Sequence, residues 1–452
     1  LRLGMSYVFD GRMQQGLPYF RKAKQYEGKL PPRDRDLLDV YSDIWLEREF
    51  DRAFTKLEMF VRNYPDDKEG RSIFGILIFQ FQRDTTKAYA QLDSALMIDP
   101  MCLLSHMFSM NISSQMGNID KTIKTALEIK KFYPNAPLAY EELGRVYRLQ
   151  MEYDKSINEF KQLYAGFPST IWALLEISEL FVLKRQFDSA NYYLTRAYQV
   201  SGSDPVELRR YFQEMAGLNV WKGQFKKAIS SQKQAVEYSR QVGDSAGTKN
   251  DLDVLGRFYY RLGNNDSALI FYQQGYKLAT SLNKINYPFV LMDTDFSQRE
   301  EAKKIFKKDL PGLRTKMPRD LMPIIDAIEI LFEAAYLADT AKIIAAAKEL
   351  KKLQPSSNNS LDTWDLGVTL VSFGQFEEGK NILTNFVQGK DLTSSAFIYL
   401  LSNYYIGMAN EGLNKKKEAI KNYNEVLRYW GNPDIEIKYI RDTRERLAKL
   451  SA

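Results

Sequence analysis

The sequence of 452 residues contains a single cysteine, Cys102, and a single histidine, His106. One cysteine excludes a disulfide within the chain, and it also excludes zinc sites built from several cysteines. The two residues lie four positions apart and would share one helix face, but two ligands are fewer than a zinc site requires. We therefore interpret both as residues of a helical core, and we expect no metal and no other cofactor.

Long apolar runs and catalytic motifs are also missing. The best candidate for a membrane span, residues 73–79, is much shorter than the roughly 18 residues that a span requires. No glycine-rich phosphate loop is present, and a Ser/His/Asp triad would have to use His106, whose expected place is a packed helix seam. Adjacent carboxylates such as Glu141 and Glu142 point to different helix faces. We therefore expect no enzymatic activity and no small-molecule substrate.

Charge of one sign is scarce as well, since 63 Lys and Arg stand against 57 Asp and Glu, a net charge of +6. Nucleic-acid binders usually concentrate basic residues on one face. The densest basic stretch, 299–319, has eight basic residues against three acidic ones. A nucleic-acid-binding solenoid therefore remains the weaker alternative, and it would use Arg145, Arg148, Arg257 and Arg261.

What the sequence does contain is a repeating skeleton with a period near 34 residues, clearest in 143–168, 255–272 and 366–383. Prolines 65, 100, 134 and 168 follow one another at intervals of 35, 34 and 34. One position of each unit is small in nearly every case: Gly16, Ala53, Ala88, Thr122, Ser156, Ala190, Ala228, Ala268, Ile343, Gly379 and Ala419. This pattern is typical of stacked helix–turn–helix units of the tetratricopeptide type.

The skeleton predicts an all-α, right-handed superhelical solenoid of about 11 tetratricopeptide units with one degenerate insertion. We expect an N-terminal superhelix of about eight repeats over 1–280, a degenerate basic connector over 281–320, and about three C-terminal repeats over 321–452. A charged helix over 435–450 would cap the open end. Glycines are expected at the turn inside several units, where a positive φ is needed: Gly11, Gly117, Gly223, Gly263 and Gly374.

In such a solenoid the first helix of each unit lines the inner groove, and this predicts a binding surface for a protein or peptide. Tryptophan, tyrosine and arginine dominate binding hot spots, and they recur at the inward positions. The predicted groove residues are Trp45, Ile73, Leu77, Phe81, Arg145, Arg148, Trp172, Trp221, Arg257, Tyr260, Arg261, Trp364 and Tyr404. The alternative for each aromatic residue is that it packs against the neighbouring helix.

A narrower resemblance rests on three stretches: 29–38, which reads KLPPRDRDLL, 135–167, and 423–450. These resemble an insertion, the middle repeats and the closing repeat of one bacterial group. That group comprises the C-terminal repeat regions of serine/threonine kinases, adenylate or guanylate cyclases and winged-helix regulators. The resemblance implies a sensor or adaptor region of a signalling protein. No kinase, cyclase or winged-helix residues are present, so no catalytic role carries over.

The alternative within the same class is a free-standing scaffold subunit of a larger envelope or secretion assembly. The Lys/Asn pair that chaperone-docking repeats use to clamp a terminal carboxylate is absent at the inward positions, which hold Leu38 and Ser42, or Glu141 and Arg145. The chain begins at Leu1 inside a repeat, so we expect a fragment or trimmed product. We expect a cytoplasmic location, or a periplasmic one if a membrane span lies upstream.

Overall fold

The computed structural model describes residues 1–9, 13–280, 284, 286–316, 319–353, 361–388 and 395–451. Every regular element among these residues is helical, which confirms the all-α solenoid. The contacts divide the chain into two compact units, Leu1–Tyr147 and Arg148–Ala452.

The first unit consists of antiparallel helix pairs. Its helices are α1 (Arg2–Phe9), α2 (Met13–Gln25), α3 (Pro32–Ser42), α4 (Phe50–Asn63), α5 (Lys68–Leu77), α6 (Thr85–Ile98), α7 (Leu103–Gln115), α8 (Ile119–Phe132) and α9 (Pro137–Leu149). The unit boundary falls near the end of α9. Helices α3 and α5 each continue into a π-helical turn, Asp43–Glu47 and Ile78–Gln82.

The second unit continues the same arrangement. Its helices are α10 (Tyr153–Gly166), α11 (Ile171–Leu183), α12 (Phe187–Ser201), α13 (Pro205–Trp221), α14 (Phe225–Val242), α15 (Ser245–Arg261), α16 (Asn265–Leu278), α17 (Asn286–Thr294), α18 (Arg299–Lys316), α19 (Met322–Tyr336), α20 (Thr340–Leu353), α21 (Leu361–Ser372), α22 (Phe376–Gln388), α23 (Ala396–Gly412), α24 (Lys416–Trp430) and α25 (Lys438–Ser451).

A residue with positive φ ends the first helix of each regular pair, because the chain must reverse there within a few residues. Four of the five predicted glycines adopt this conformation, and Gly11 lies outside the described residues. The full set is Arg48, Arg83, Gly117, Met151, Arg185, Gly223, Gly263, Ala338, Gly374 and Asn414. Each lies five residues before one of the predicted small positions, so the turn and the helix contact share one register.

The small positions lie where the two helices of a unit approach most closely. A Cβ atom on Gly16 would lie 2.8 Å from the carbonyl oxygen of Gly4, and one on Gly379 would lie 2.8 Å from that of Gly367. Ala53, Ala88 and Ala190 are fully buried. Larger side chains at these positions would force the helices apart. Ile343 is the exception, since it is only partly buried while its neighbour Ile344 is buried.

The stretch expected as a connector contains two packed helices, α17 and α18. The rings of Phe306 and Phe332 stack with centroids 3.9 Å apart, and Leu291 and Leu310 join the same core. Between Gly263 and Ala338 no described residue has a positive φ. The described part of 281–320 is therefore a helical pair that shares a core with α19 and lacks the turn of the regular repeats.

The division of the chain does not fall at the boundaries near 280 and 320 that the sequence predicts. Helices α23 and α24 pack against α13 and α14, so residues far apart in the chain share one core. The indole nitrogen of Trp430 donates a hydrogen bond to the carbonyl oxygen of Val220 (2.8 Å), and the backbone N–H of Asp434 donates to that of Gly223 (3.1 Å). These contacts make 148–452 a single compact unit.

Candidate functional site

The four predicted groove residues between 45 and 81 in the first unit are mostly core. Ile73 and Leu77 are buried in the cluster that holds α3 to α6 together. Phe81 is 46% exposed, and its ring lies 5.3 Å from that of Phe50. Trp45 is half-buried, and its indole nitrogen has no hydrogen-bond partner among the described residues. Of these four residues, Phe81 and part of Trp45 present an aromatic surface, next to the exposed Phe50.

Arg145, the fifth predicted residue of the first unit, is exposed and held by its neighbours. Its guanidinium donates hydrogen bonds to Glu142 on the same helix and to the hydroxyl of Ser114 on α7 (2.6 Å). Arg145 is therefore accessible to a partner, but its guanidinium already donates hydrogen bonds to Glu142 and Ser114.

In the second unit, five ionisable side chains from three successive first helices come together. We call Arg148, Glu176, Glu179, Arg210 and Glu214 the ionic cluster. The Arg148 guanidinium contacts both oxygens of Glu179, at 2.6 and 2.7 Å, and one oxygen of Glu176, at 3.1 Å. A bidentate arginine–carboxylate contact of this kind fixes the geometry of both partners.

The carboxylates of the ionic cluster crowd one another. Burial and the charges of Glu179 and Glu176 raise the pKa of Glu214 to about 8, against the opposing effect of Arg148 and Arg210. Burial and the charge of Glu179 also raise the pKa of Glu176. Glu176, Glu179 and Glu214 all remain partly exposed. A partner cation that binds here would favour the deprotonated form of Glu214, which would set three carboxylates against the two arginines of the cluster.

Arg148 is among the groove residues that the sequence predicts, whereas Glu176 and Glu214 are not. The signal was present, because both glutamates lie nine residues before the positive-φ residue of their unit, Arg185 and Gly223 respectively. Trp172, also predicted, is half-buried and meets the ring of Phe160 edge-on at 5.9 Å. It is thus a seam residue with one accessible side.

The inward position of Trp221 is covered by other helices of the same unit. Its ring is fully buried and lies 5.5 Å from Tyr399 and 5.3 Å from Tyr429. The Arg185 guanidinium lies 3.9 Å from the Trp221 ring. Burial lowers the pKa of this guanidinium. Trp221 therefore packs inside the unit and lines no open groove in this structure.

Three of the remaining predicted residues, Arg261, Trp364 and Tyr404, have contacts that involve α23 or α25. Arg261 lies 4.7 Å from the ring of Phe397 and 5.7 Å from that of Trp364. The buried Trp364 donates its indole N–H to the hydroxyl of Ser402 (2.8 Å), and Tyr404 donates to Asp442 (2.5 Å).

Arg257 and Tyr260 are half-buried, and burial and the charge of Asp293 raise the pKa of Tyr260. The inward register of these residues was predicted, and so was the alternative that an aromatic residue packs against a neighbouring helix, as Trp364 and Tyr404 do. The partner of Tyr404, Asp442, lies in the stretch expected as a capping helix.

Cys102 and His106 are both buried, as a core interpretation requires. The His106 Nε2 atom lies 2.9 Å from the carbonyl oxygen of Pro100, and the Cys102 sulfur lies 3.6 Å from the Ser72 hydroxyl. Over the ranges that the structure describes, no group of three metal-ligating side chains occurs. Over the same ranges, none of the helices has the length and apolar character needed to cross a bilayer.

A family model of the tetratricopeptide repeat matches residues 210–281, which covers α14, α15 and α16 and most of α13. Together with the helix pairs and their register, this match makes the chain a tetratricopeptide-repeat protein. Its fold is thus that of protein–protein interaction scaffolds. No curated protein sequence is significantly similar to the chain.

Several solved structures resemble the chain weakly. The type IV pilus biogenesis factor PilW is 20% identical and matches 46% of this chain and 92% of its own, with a TM-score of 0.37. A tetratricopeptide repeat protein from Parabacteroides merdae is 13% identical over 62% of this chain and 98% of its own, with a TM-score of 0.41. Naa15/Naa10 bound to HypK is 10% identical over 93% and 66%, with a TM-score of 0.34. Similarity at this level assigns no function.

Proposed function

We propose that this chain is a non-catalytic scaffold that binds a protein partner on the surface of its second unit formed by Arg148 and the first helices α11 and α13. The ionic cluster is the observation that carries this proposal. Its glutamates remain partly exposed, Arg148 pairs with only two of them, and the raised pKa of Glu214 leaves a third carboxyl group that a cation would deprotonate. A basic segment of a partner would relieve the repulsion between Glu176, Glu179 and Glu214.

The surface proposed for the partner is smaller than the groove that the sequence predicts, which would run along the first helices of all the repeats. The inward positions at Trp221, Trp364 and Tyr404 are buried under α23 to α25, so a peptide would have to displace those helices to reach them. The glutamates of the ionic cluster are already partly exposed, so none of the described helices has to move for a partner to reach them. We therefore assign the primary contact to Arg148 and the three glutamates, with Trp172 at its edge.

The test is a pull-down from a lysate of the source organism with mass-spectrometric identification, followed by binding of the purified partner. The double variant Glu176→Gln/Glu214→Gln keeps the shape of the cluster and removes charge. We expect it to lose at least tenfold in affinity, whereas Glu237→Gln, an exposed carboxylate on α14, leaves affinity unchanged. A partner retained equally by both variants would refute the assignment of this face.

The narrower proposal concerns the context of the scaffold. The resemblance in 29–38, 135–167 and 423–450 supports the repeat region of a bacterial signalling protein; a free-standing subunit of an envelope or secretion assembly is the alternative. The full open reading frame distinguishes them, because an upstream kinase, cyclase or DNA-binding domain supports only the first. Nucleic-acid binding is not proposed, since Arg148 is paired with two glutamates and Arg261 packs on aromatic rings.

A further inference from the structure

A cavity of 470 Å³ opens between α10, α11 and α12, on the side of the second unit formed by the second helices of the repeats. Its floor is apolar and fully buried, whereas its rim is charged and exposed. The residues that define it are Lys161, Tyr164, Leu174, Ile177, Tyr193 and Arg196. A volume in this range is that of a small-ligand or single-side-chain pocket.

The polar groups around this cavity are mainly hydrogen-bond donors. Lys161 lies 5.7 Å from the centroid of the Tyr193 ring, and the Arg196 guanidinium lies 5.0 Å from that of Tyr164. Neither cation forms an ion pair with any carboxylate that the structure describes, and neither phenol hydroxyl bonds to another described residue. Because lysine and arginine can only donate, the complementary ligand must carry acceptors and negative charge.

The helices α14, α15 and α16 repeat part of the side-chain arrangement found at α10, α11 and α12, and this repetition shows which contacts around the cavity are ordinary packing. Phe181 and Tyr193 stack with centroids 5.4 Å apart, and Tyr259 and Phe271 repeat this stack at the same helix positions, also at 5.4 Å. Lys233 lies 5.7 Å from the ring of Tyr259, in the helical position that Lys161 holds. The stacked pair beneath a lysine is therefore a recurring contact between repeats.

The two sets of helices differ on the side of the cavity formed by Tyr164 and Arg196. Where the first set has Tyr164 and Arg196, the second has Val236 and Gln274 at the equivalent helix positions. Gln274 already accepts a hydrogen bond from Arg240 (3.2 Å). A second cation opposite the lysine, with a tyrosine beneath it, thus distinguishes the cavity at α10–α12 from the packing contact at α14–α16.

We propose that this cavity binds an acidic segment of a partner protein, in which an apolar side chain enters over Leu174 and Ile177 and flanking carboxylates pair with Lys161 and Arg196. The two cations project from different helices, α10 and α12, on either side of the apolar floor. That geometry matches a carboxylate–apolar–carboxylate order along one peptide. The site lies on second helices, so it is an interaction surface in addition to the one at the ionic cluster.

The experiment uses the full chain and a defined probe, the fluorescein-labelled peptide Asp-Glu-Leu-Phe-Glu-Asp, with fluorescence anisotropy as the readout. We expect saturable binding that weakens as salt rises. The same peptide with Asn and Gln in place of Asp and Glu is expected to bind at least tenfold more weakly. Lys161→Glu/Arg196→Glu is expected to abolish binding, whereas Lys233→Glu leaves it unchanged, because the arginine near Lys233, Arg240, lies on the same helix and is already bonded to Gln274.

Three results would overturn the proposal. They are equal binding of the acidic and the amide peptide, equal loss of binding in Lys233→Glu, and failure of the acidic peptide to bind while vesicles of phosphatidylserine and phosphatidylcholine bind through Lys161 and Arg196. Because both cations are exposed, the charge reversals are expected to keep the circular dichroism spectrum and thermal midpoint of the parent chain. This surface is tested independently of the ionic cluster, whose neutralised variant should bind the acidic peptide normally.

Discussion

Two stretches of the second unit use the same inward register in opposite ways. Along α11 and the first part of α13, Glu176 and Glu214 point inward and stay partly exposed. From Trp221 onward, the inward side chains at Trp221, Trp364 and Tyr404 are buried by α23 to α25. Register within the repeat therefore decides which way a residue points. Whether that residue becomes surface or core depends on what other part of the chain lies over it.

The sharpest test of this comparison is truncation of one tryptophan from each stretch. Trp221→Ala removes a fully buried ring that contacts Phe187, Tyr399 and Tyr429, and we expect a loss of about 3–5 kcal/mol in the free energy of unfolding. Trp172→Ala removes a half-buried ring and is expected to cost about 1 kcal/mol. Urea unfolding measures both. Equal losses would show that the two stretches are packed alike.

The second prediction uses pH to probe the open stretch. Because the pKa of Glu214 is raised from 4.5 to about 8 in the folded chain, the folded state holds this proton more tightly than the unfolded state does. Its stabilising contribution is present below pH 4.5 and is lost as pH rises through 8. Glu214→Gln should therefore stabilise the chain at pH 8.5, by about 1–3 kcal/mol, and have little effect at pH 4.5.

The measurement is the thermal midpoint of both proteins at the two pH values. Glu237→Gln, at an exposed position on α14, is the control and should show no such pH-dependent gain. The charges that face Glu214 are those of Arg148, Glu176, Glu179 and Arg210. A stabilisation that is the same at pH 4.5 and 8.5 would mean that Glu214 titrates normally.

A third prediction concerns the contact that covers the second stretch. The Asp434 carboxylate accepts hydrogen bonds from the backbone N–H of Lys226, at 3.1 and 3.3 Å, and so caps the start of α14 from 208 residues away. Gln224, at the local capping position, provides no side-chain bond. Asp434→Ala should cost about 1 kcal/mol, and Asp434→Asn less. Amide exchange at 225–228 should rise in the first variant; unchanged exchange there would contradict the cap.

The smallest expected effect compares the turns. Ala338 has a φ of 53°, a conformation that four other turns assign to glycine. Ala338→Gly should therefore stabilise the chain by about 0.5–1 kcal/mol, because glycine adopts positive φ without strain. Ala345→Gly, at an exposed site inside α20, should instead destabilise it by about 1 kcal/mol. Thermal midpoints that move in the same direction in both variants would refute the strain at Ala338.

The local architecture could be predicted from the sequence because every repeat needs a small residue at its helix contact and a positive φ at its turn. Spacing alone located the small residues at the helix contacts, and Gly117, Gly223, Gly263 and Gly374 at turns with positive φ. It did not predict the Trp430–Val220 contact, which joins residues 210 positions apart. Periodicity carries information about neighbouring repeats only, so a contact across several repeats leaves no periodic signal.

The same limit explains the candidate site. Trp221 and Trp364 were predicted to point inward from their register. The burial of Trp221 depends on α23 and α24, which belong to distant repeats, whereas Trp364 contacts Ser402 of the next repeat and Arg261 of a distant one. Glu176 and Glu214 were missed for a different reason. A lone glutamate on a helix is most often solvated, and only the structure brings these two beside Glu179 and Arg148. The boundary predicted at 280 likewise rests on the gap between Ala268 and Ile343 in the series of small positions. Such spacing carries no information about contacts between distant repeats.

The hydrogen bond between Trp430 and Val220 has a mechanical consequence for the second unit. An open repeat array can lengthen under tension by separating its repeats one after another, like a spring. The bond between Trp430 and Val220 joins the two ends of residues 220–430, so tension applied at these ends must break this contact before the repeats between them can separate. Pulling should therefore give one high-force event for residues 220–430, followed by small regular steps once the closure is lost.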